Sequence, residues 1–273
     1  MASELLAIGK RLAAGTSLLV FCAFLNCLSQ VLIERHFMEH VVAPRLLDIA
    51  FVYLPHYWKV KICDWFSLAV MASTLIPLAI FHPKRSQIFR RFLVFQSGIF
   101  LLRALFIIVT ILPQPSPECK PDPIAGSPHE SLIIEIFRIM VGKRITCGDS
   151  LFSGHAANVT MLAALGFKFA KDLLPSRQAY QVYKIYLYSL LVITLASIVL
   201  TWFHYTVDVL VSLLVVSQLW VFYHGYIERI GNLAPGHLIV WYEYDYLVLP
   251  DGPQKTSQAA DCDIGIDLTP STI

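Results

Sequence analysis

The chain has 273 residues, 56% of them hydrophobic and only 15% charged, with a formal net charge of +2. Soluble domains carry about a quarter charged residues. The apolar residues here also fall in long runs, so the composition excludes an ordinary soluble domain and indicates an all-α, multi-pass membrane protein. The small, scattered charge leaves no footprint for a nucleic-acid partner, and the six cysteines occur in no metal-ligand spacing.

A membrane span needs about 20 mostly apolar residues. The first predicted span covers about 12–33 and ends at Glu34-Arg35-His36. It reads as a retained helix, because no small-residue cleavage site follows the apolar run. Cys22 and Cys27 inside it read as buried thiols. The second span covers about 63–81, with Pro77 near its end, where a kink is tolerated. The third covers about 92–112 and contains Arg103. A loop over 113–150 follows. Its first half is rich in proline and extended in character. Its second half, Leu132-Ile-Ile-Glu-Ile-Phe-Arg-Ile-Met140, reads as a short amphipathic helix suited to the membrane interface. Cys119 and Cys147 share this loop, which leaves a disulfide open. The fourth span covers about 151–167.

The apolar stretch 185–227 is too long for one crossing. At 1.5 Å per residue it would reach about 65 Å, against a hydrocarbon core of about 30 Å. It divides into a fifth and a sixth span, and the polar group His204-Tyr205-Thr206 near its middle is the natural turn. No Gly or Pro marks that turn, so length alone predicts it. Residues 1–230 thus form a six-span membrane domain, and 231–273 a polar C-terminal tail, disordered in character from about 251.

Lys10 and Arg11, then Lys84, Arg85, Arg90 and Arg91, then Lys168, Lys171, Arg177 and Lys184 all fall on one side of such a bundle. By the positive-inside rule that side is cytosolic, and both termini with it. The opposite face then holds two polar stretches, Cys147-Gly-Asp-Ser-Leu-Phe-Ser-Gly-His155 and His204-Tyr-Thr-Val-Asp208. The fourth span starts at that face and the fifth returns to it, so His155 and His204 share one membrane level. Asp208, four residues after His204, lies on its helical face within hydrogen-bond reach.

Two histidines and a carboxylate at a membrane edge suit one chemistry well. A carboxylate that accepts from one imidazole nitrogen fixes the tautomer and frees the other nitrogen as a nucleophile. The second imidazole can protonate a leaving oxygen and later deprotonate an incoming hydroxyl. Ser153, Gly154 and backbone N–H groups at the start of the fourth helix can hold phosphate oxygens. The pattern is that of a phosphohistidine double displacement, with His155, His204 and Asp208 as catalytic residues.

Ser-Gly-His followed by His-x-x-x-Asp resembles the type 2 phosphatidic acid phosphatase superfamily. The longer strings at 147–155 and 204–209 look like two signature motifs of sphingomyelin synthases and related sphingolipid synthases. Arg90-Arg91, Leu102-Arg103 and Thr110-Ile-Leu-Pro113 are similar to an upstream motif of that family, so the likeness runs over roughly 90–225. Pro44-Arg-Leu-Leu-Asp48 is a degenerate echo of the family's Pro-Leu-Pro-Asp motif, and Ala156 stands where the family usually has Thr. Lipid phosphatases carry Ser-Arg upstream of the second histidine; here the pair is Ser197-Ile198. A phosphate monoester dianion wants several cations around it, so loss of the guanidinium fits a phosphodiester better.

The resemblance implies a six-helix bundle of the phosphatidic acid phosphatase type. It also implies transfer of a phospholipid headgroup to the primary hydroxyl of ceramide, with release of diacylglycerol. Phosphocholine from phosphatidylcholine ranks first, with phosphoinositol and phosphoethanolamine behind. Bond energies nearly cancel in such an exchange, so no cofactor, nucleotide or metal is required. The implied partners are membrane lipids, the implied site is the lumenal or extracellular face of Golgi or plasma membrane, and self-association stays open. Asp149 is placed to orient a histidine or meet a cationic headgroup, and Arg103 to contact phosphate; for Arg103 a snorkelling or paired arginine is the plainer alternative. Trp202, Tyr205, Trp220 and Tyr223 read as aromatic belt first and as a choline cage second. A lipid phosphatase, a headgroup transferase to diacylglycerol and a non-catalytic membrane protein are the competing functions. Release of inorganic phosphate from phosphatidic acid would mark the first of these, and dispensable histidines the last.

Overall fold

The computed structural model describes residues 2–41, 44–54, 56, 59–116, 131–144, 146, 151–174, 176–230 and 238–243. Among them the chain is helical and forms no β-strand. It divides into two compact units, residues 1–224 and 225–273. The second holds the last turns of one long helix and a short helix, Leu238–Tyr242.

Five helices are long and apolar enough to cross a membrane: Leu6–Phe37, Lys61–Phe81, Arg85–Val109, Arg177–Leu200 and Thr206–Ile227. They lie within α1 (Ala2–Val41), α3 (Lys61–Phe81), α4 (Arg85–Val109), α7 (Arg177–Leu200) and α8 (Thr206–Ile230). The fourth expected span is α6, Gly154–Phe169, which has 16 residues. At 1.5 Å per residue it reaches about 24 Å, short of a full hydrocarbon core. It is the most enclosed of the helices, with Ala156, Ala157, Val159, Met161, Ala163 and Leu165 buried. Short length and burial go together, because α6 faces protein rather than lipid. A Cβ on its Gly166 would meet Leu187 Cδ2 at 2.6 Å, Tyr183 Oη at 2.9 Å and Thr74 Cγ2 at 3.2 Å. The missing side chain therefore lets α3 and α7 close on α6, the small-residue packing expected where lipid gives no hydrophobic drive. Phe95 and Ile99 of α4, Val70 and Leu78 of α3, Leu187 of α7 and Val216 of α8 complete the core.

The first helix runs past its expected end at residue 33 to a kink at Phe37 (φ −131°, ψ 27°), beyond which a second helical segment continues to Val41. Charge pairing anchors the turn before the kink. Arg35 binds Glu135 through two bonds, of 2.8 and 3.2 Å, and Arg144 bridges Glu34 at 2.7 Å and Glu135 at 3.0 Å. Burial pushes the Glu135 carboxyl up, but the hydrogen bonds from Arg35 and Arg144 outweigh it and hold the group below its ordinary range. Glu135 belongs to α5, Leu132–Met140, the short amphipathic helix read from the sequence. Its Ile136 packs on Cys27 and Val31 of α1, while Ile133, Ile134 and Phe137 stay exposed. Cys22 and Cys27 are buried free thiols, as expected. Cys119 and Cys147 lie outside the described residues.

The helix order alternates direction, so the ends of α1, α4 and α7 and the starts of α3, α6 and α8 share one face. Segment 44–56, with the short helix α2 (Ile49–Tyr53), crosses that face between α1 and α3.

Candidate active site

The α7–α8 turn carries the second histidine, and its backbone is built to a recognisable pattern. Trp202 N–H bonds Val199 O at 3.0 Å and Phe203 N–H bonds Ile198 O at 3.1 Å. Trp202 has φ +52°. These are the two bonds and the left-handed residue of a Schellman helix end, and Phe203 packs on the cluster around Ile198 as that motif requires. Glycine usually takes the left-handed position; a tryptophan there costs about 1–2 kcal/mol. Tertiary contacts offset the cost. The Trp202 indole N–H donates to Leu54 O at 3.2 Å, its ring lies 5.1 Å from Phe51 and 5.3 Å from His56, and the Arg45 guanidinium sits 4.6 Å over it. The break inferred from length is thus real, although tryptophan rather than glycine makes it.

His204 follows at once, and α8 begins two residues later. Asp208, in the first turn of α8, accepts the Tyr205 N–H at 2.9 Å and lies 3.5 Å from His204 Nδ1. One carboxylate therefore closes the helix start and faces the imidazole. His204 and Asp208 are both buried, with side chains 5% and 0% exposed.

The other histidine belongs to the start of α6. Ser153 caps this helix by accepting the Ala156 N–H at 3.3 Å, and its side chain is fully enclosed. His155, one residue into the first turn, places Nε2 3.0 Å from Asp64 Oδ1. This pair is open: the side chains are 31% and 57% exposed. The Phe203 ring stands edge-on to both imidazoles, 5.0 Å from each. So His155 and His204, 49 positions apart in the sequence, face one apolar ring.

Arg103 reaches the same place from α4. It sits six residues before the helix end, about 9 Å below it. A Cβ on Gly154 would overlap Arg103 Nη1 and lie 3.4 Å from Cζ, so the guanidinium rests on the Gly154 backbone. Asp149 lies outside the described residues. Among the described residues no cluster of three or more His, Cys, Asp or Glu suited to holding a metal ion is found.

The sequence reading missed Asp64. It lies in the first turn of α3, on the same face as His155, but the local pattern does not set it apart from nearby acids such as Asp48. The choline-cage alternative does not assemble. Trp202 carries Arg45 on its ring, and the Tyr205 hydroxyl accepts from Leu46 N–H and donates to Pro113 O. Trp220 stacks on Phe95 and Tyr223 meets the same ring edge-to-face, about 21 Å or more along α8 from its first residue. Ile198, where a phosphatase has Arg, is buried with Cys63, Ala156 and Val209. Apolar side chains floor the site at that point.

The PAP2 superfamily C-terminal family matches residues 146–225, which contain both polar stretches. The phosphatidylcholine:ceramide cholinephosphotransferase 1 of Gallus gallus is 27% identical over 213 residues, 75% of this chain and 49% of that protein. Its counterpart from Homo sapiens is 28% identical over 223 residues, 77% of this chain and 52% of that protein. The sphingomyelin synthase-related 1 protein of Caenorhabditis elegans is 24% identical over 204 residues, covering 72% and 41%. The chain spans about half the length of the curated relatives it matches. Over these stretches the chain is similar to proteins named as sphingomyelin synthases, and its residues 146–225 match the PAP2 superfamily C-terminal family.

Proposed function

We propose that the chain is a lipid phosphotransferase that moves a phosphodiester headgroup from a glycerophospholipid to ceramide. One observation carries this reading: two acid-backed imidazoles, His204 with Asp208 and His155 with Asp64, meet at a single ring on one membrane face. Their exposures support a division of roles. The buried pair suits a nucleophile, because a dry site favours attack over solvation. The open pair suits a proton shuttle, which must exchange with an incoming hydroxyl.

In the first half-reaction His204 Nε2 attacks phosphorus, with Asp208 holding Nδ1. The bond from phosphorus to the diacylglycerol oxygen breaks, and His155 gives that oxygen its proton. In the second, the ceramide primary hydroxyl loses its proton to His155 and takes the headgroup from His204. One phosphorus–oxygen bond replaces another, so the chain's own residues suffice. Arg103, Ser153 and Gly154 hold the non-bridging oxygens, and Arg103 matches the single charge of a diester. Asp149 stands as a further contact for the headgroup. Phosphocholine from phosphatidylcholine is the first-ranked donor, supported by the names of the relatives. The site faces the lumen or the exterior, in Golgi or plasma membrane.

The test is purified protein in mixed micelles with ceramide and labelled phosphatidylcholine, phosphatidylethanolamine or phosphatidylinositol. Labelled sphingolipid and diacylglycerol should appear together. Phosphate release from phosphatidic acid with no labelled sphingolipid would overturn the reading. His204→Ala and Asp208→Asn should abolish transfer while membrane insertion survives.

A further inference from the structure

Three residues of segment 44–54 tie down the α7–α8 turn from outside it. Leu46 N–H donates to the Tyr205 hydroxyl at 3.1 Å. Leu54 O accepts the Trp202 indole N–H at 3.2 Å. Between them, Asp48 makes the strongest contact. Its Oδ2 accepts Thr206 N–H at 2.7 Å and its Oδ1 accepts the Thr206 hydroxyl at 3.0 Å. Oδ1 also accepts Ala50 N–H at 2.8 Å, which caps α2. One carboxylate thus joins two helix starts, 158 positions apart from Asp48 to Thr206.

The position of Thr206 gives this contact its meaning. His204 lies two residues before it and Asp208 two residues after. The first four N–H groups of a helix have no partner within the helix. Here Asp208 takes the one at Tyr205 and Asp48 the one at Thr206. The backbone between His204 and Asp208 is therefore clamped by two carboxylates from separate segments. The left-handed Trp202 sits just upstream, in a conformation the backbone does not favour, so the turn needs such clamps to keep one geometry.

We propose that Asp48 is a positioning residue for the reaction: by fixing Thr206 it sets the separation and angle between His204 and Asp208. The inference rests on the reading of His204 as the nucleophile. Asp48 touches no reacting atom. It acts through the backbone of Thr206, and so on the turnover step rather than on lipid capture. Misplacing a nucleophile by about 1 Å can cost on the order of 10²-fold in rate.

The experiment compares Asp48→Ala, Asp48→Asn and Thr206→Val with His204→Ala in the full-length protein, in micelles of ceramide and labelled phosphatidylcholine. D48A is expected to lower kcat on the order of 10–100-fold, with KM for the donor within about twofold of wild type. D48N keeps one acceptor for Thr206 N–H and offers an amide donor to Thr206 Oγ1, so it is expected to restore at least about a third of the wild-type kcat. T206V deletes only the hydroxyl contact and is expected to lower kcat about threefold to tenfold with KM unchanged. T206V carries the test alone if D48A does not insert. An unchanged kcat in D48A or T206V, or a rise in KM matching the fall in turnover, overturns the proposal. H204A separates the two layers: if it retains turnover, the nucleophile assignment fails; if it is inactive while D48A is normal, the positioning role alone fails.

Discussion

Gly154→Ala adds one methyl group at the mouth of α6, and the structure says where it goes. The new Cβ would overlap Arg103 Nη1 and stand 3.4 Å from Cζ. The obstacle is the far end of a long side chain, so the fold can yield: the guanidinium moves about 1 Å and the backbone stays. Gly154 is not in a left-handed conformation, so alanine fits the helix and contributes about 0.5–1 kcal/mol of backbone stabilisation. Stability and activity should then move in opposite directions. The thermal midpoint in detergent is expected to hold or rise slightly. Transfer to ceramide is expected to fall on the order of 10–100-fold, because a displaced cation no longer meets the phosphate oxygens. Arg103→Ala should fall at least as far. The decisive measurement is the double variant. If Gly154→Ala acts through Arg103, adding it to Arg103→Ala costs nothing more, since two changes on one contact are not additive. A G154A protein with wild-type turnover would refute the reasoning. So would a double variant that loses the full product of the two single effects.

Asp64→Asn is expected to reduce transfer about tenfold or more while leaving the thermal midpoint within a degree or two, since both partners are substantially exposed; unaltered transfer would remove Asp64 from the site. Ile198→Arg places a charge in the fully buried cluster with Cys63, Ala156 and Val209, and should destabilise by about 3–5 kcal/mol, measured as a loss of folded protein on size-exclusion after extraction; a well-folded arginine variant would contradict the packing described. Glu135 has a depressed folded-state pKa, so its stabilisation is present above the ordinary Glu value of about 4.3 and is lost as pH falls through the lower folded value. The thermal midpoint gap between wild type and Glu135→Gln should accordingly be widest near neutrality and close as pH falls below about 4.3; a gap that widens in acid would contradict the pairing with Arg35 and Arg144.

Much of the arrangement was legible before any coordinates, because a membrane limits the options. Length alone forced the break between α7 and α8, and the alternation of helices then brought His155 and His204 to one face. The short helix Leu132–Met140 showed in its own periodicity. What the sequence hid is of a different kind. The acid beside His155 lies 91 positions away, and nothing in the pattern around Asp64 distinguishes it from the other acids of the first loop. The left-handed turn residue is a tryptophan, so the usual glycine signal is missing and only Phe51, His56 and Arg45 explain why it is tolerated. The overrun of α1 past residue 33 depends on Glu135 and Arg144, which a local reading of Glu34-Arg35 cannot supply. In each case the determinant is a partner distant in sequence, which periodicity does not record.

The Phe203 ring between the two histidines has a consequence for selectivity. The phenyl ring has no exchangeable proton, so it acts as an insulator, and the two imidazoles are left without a relay through it. In the proposed reaction the lipid itself completes the circuit, with phosphorus toward His204 and the departing or arriving oxygen toward His155. The ring also occupies volume beside His204 that a water molecule would otherwise take up. The proposed reaction chooses between an alcohol and water as acceptor, and a single apolar plate at the junction biases that choice toward the alcohol.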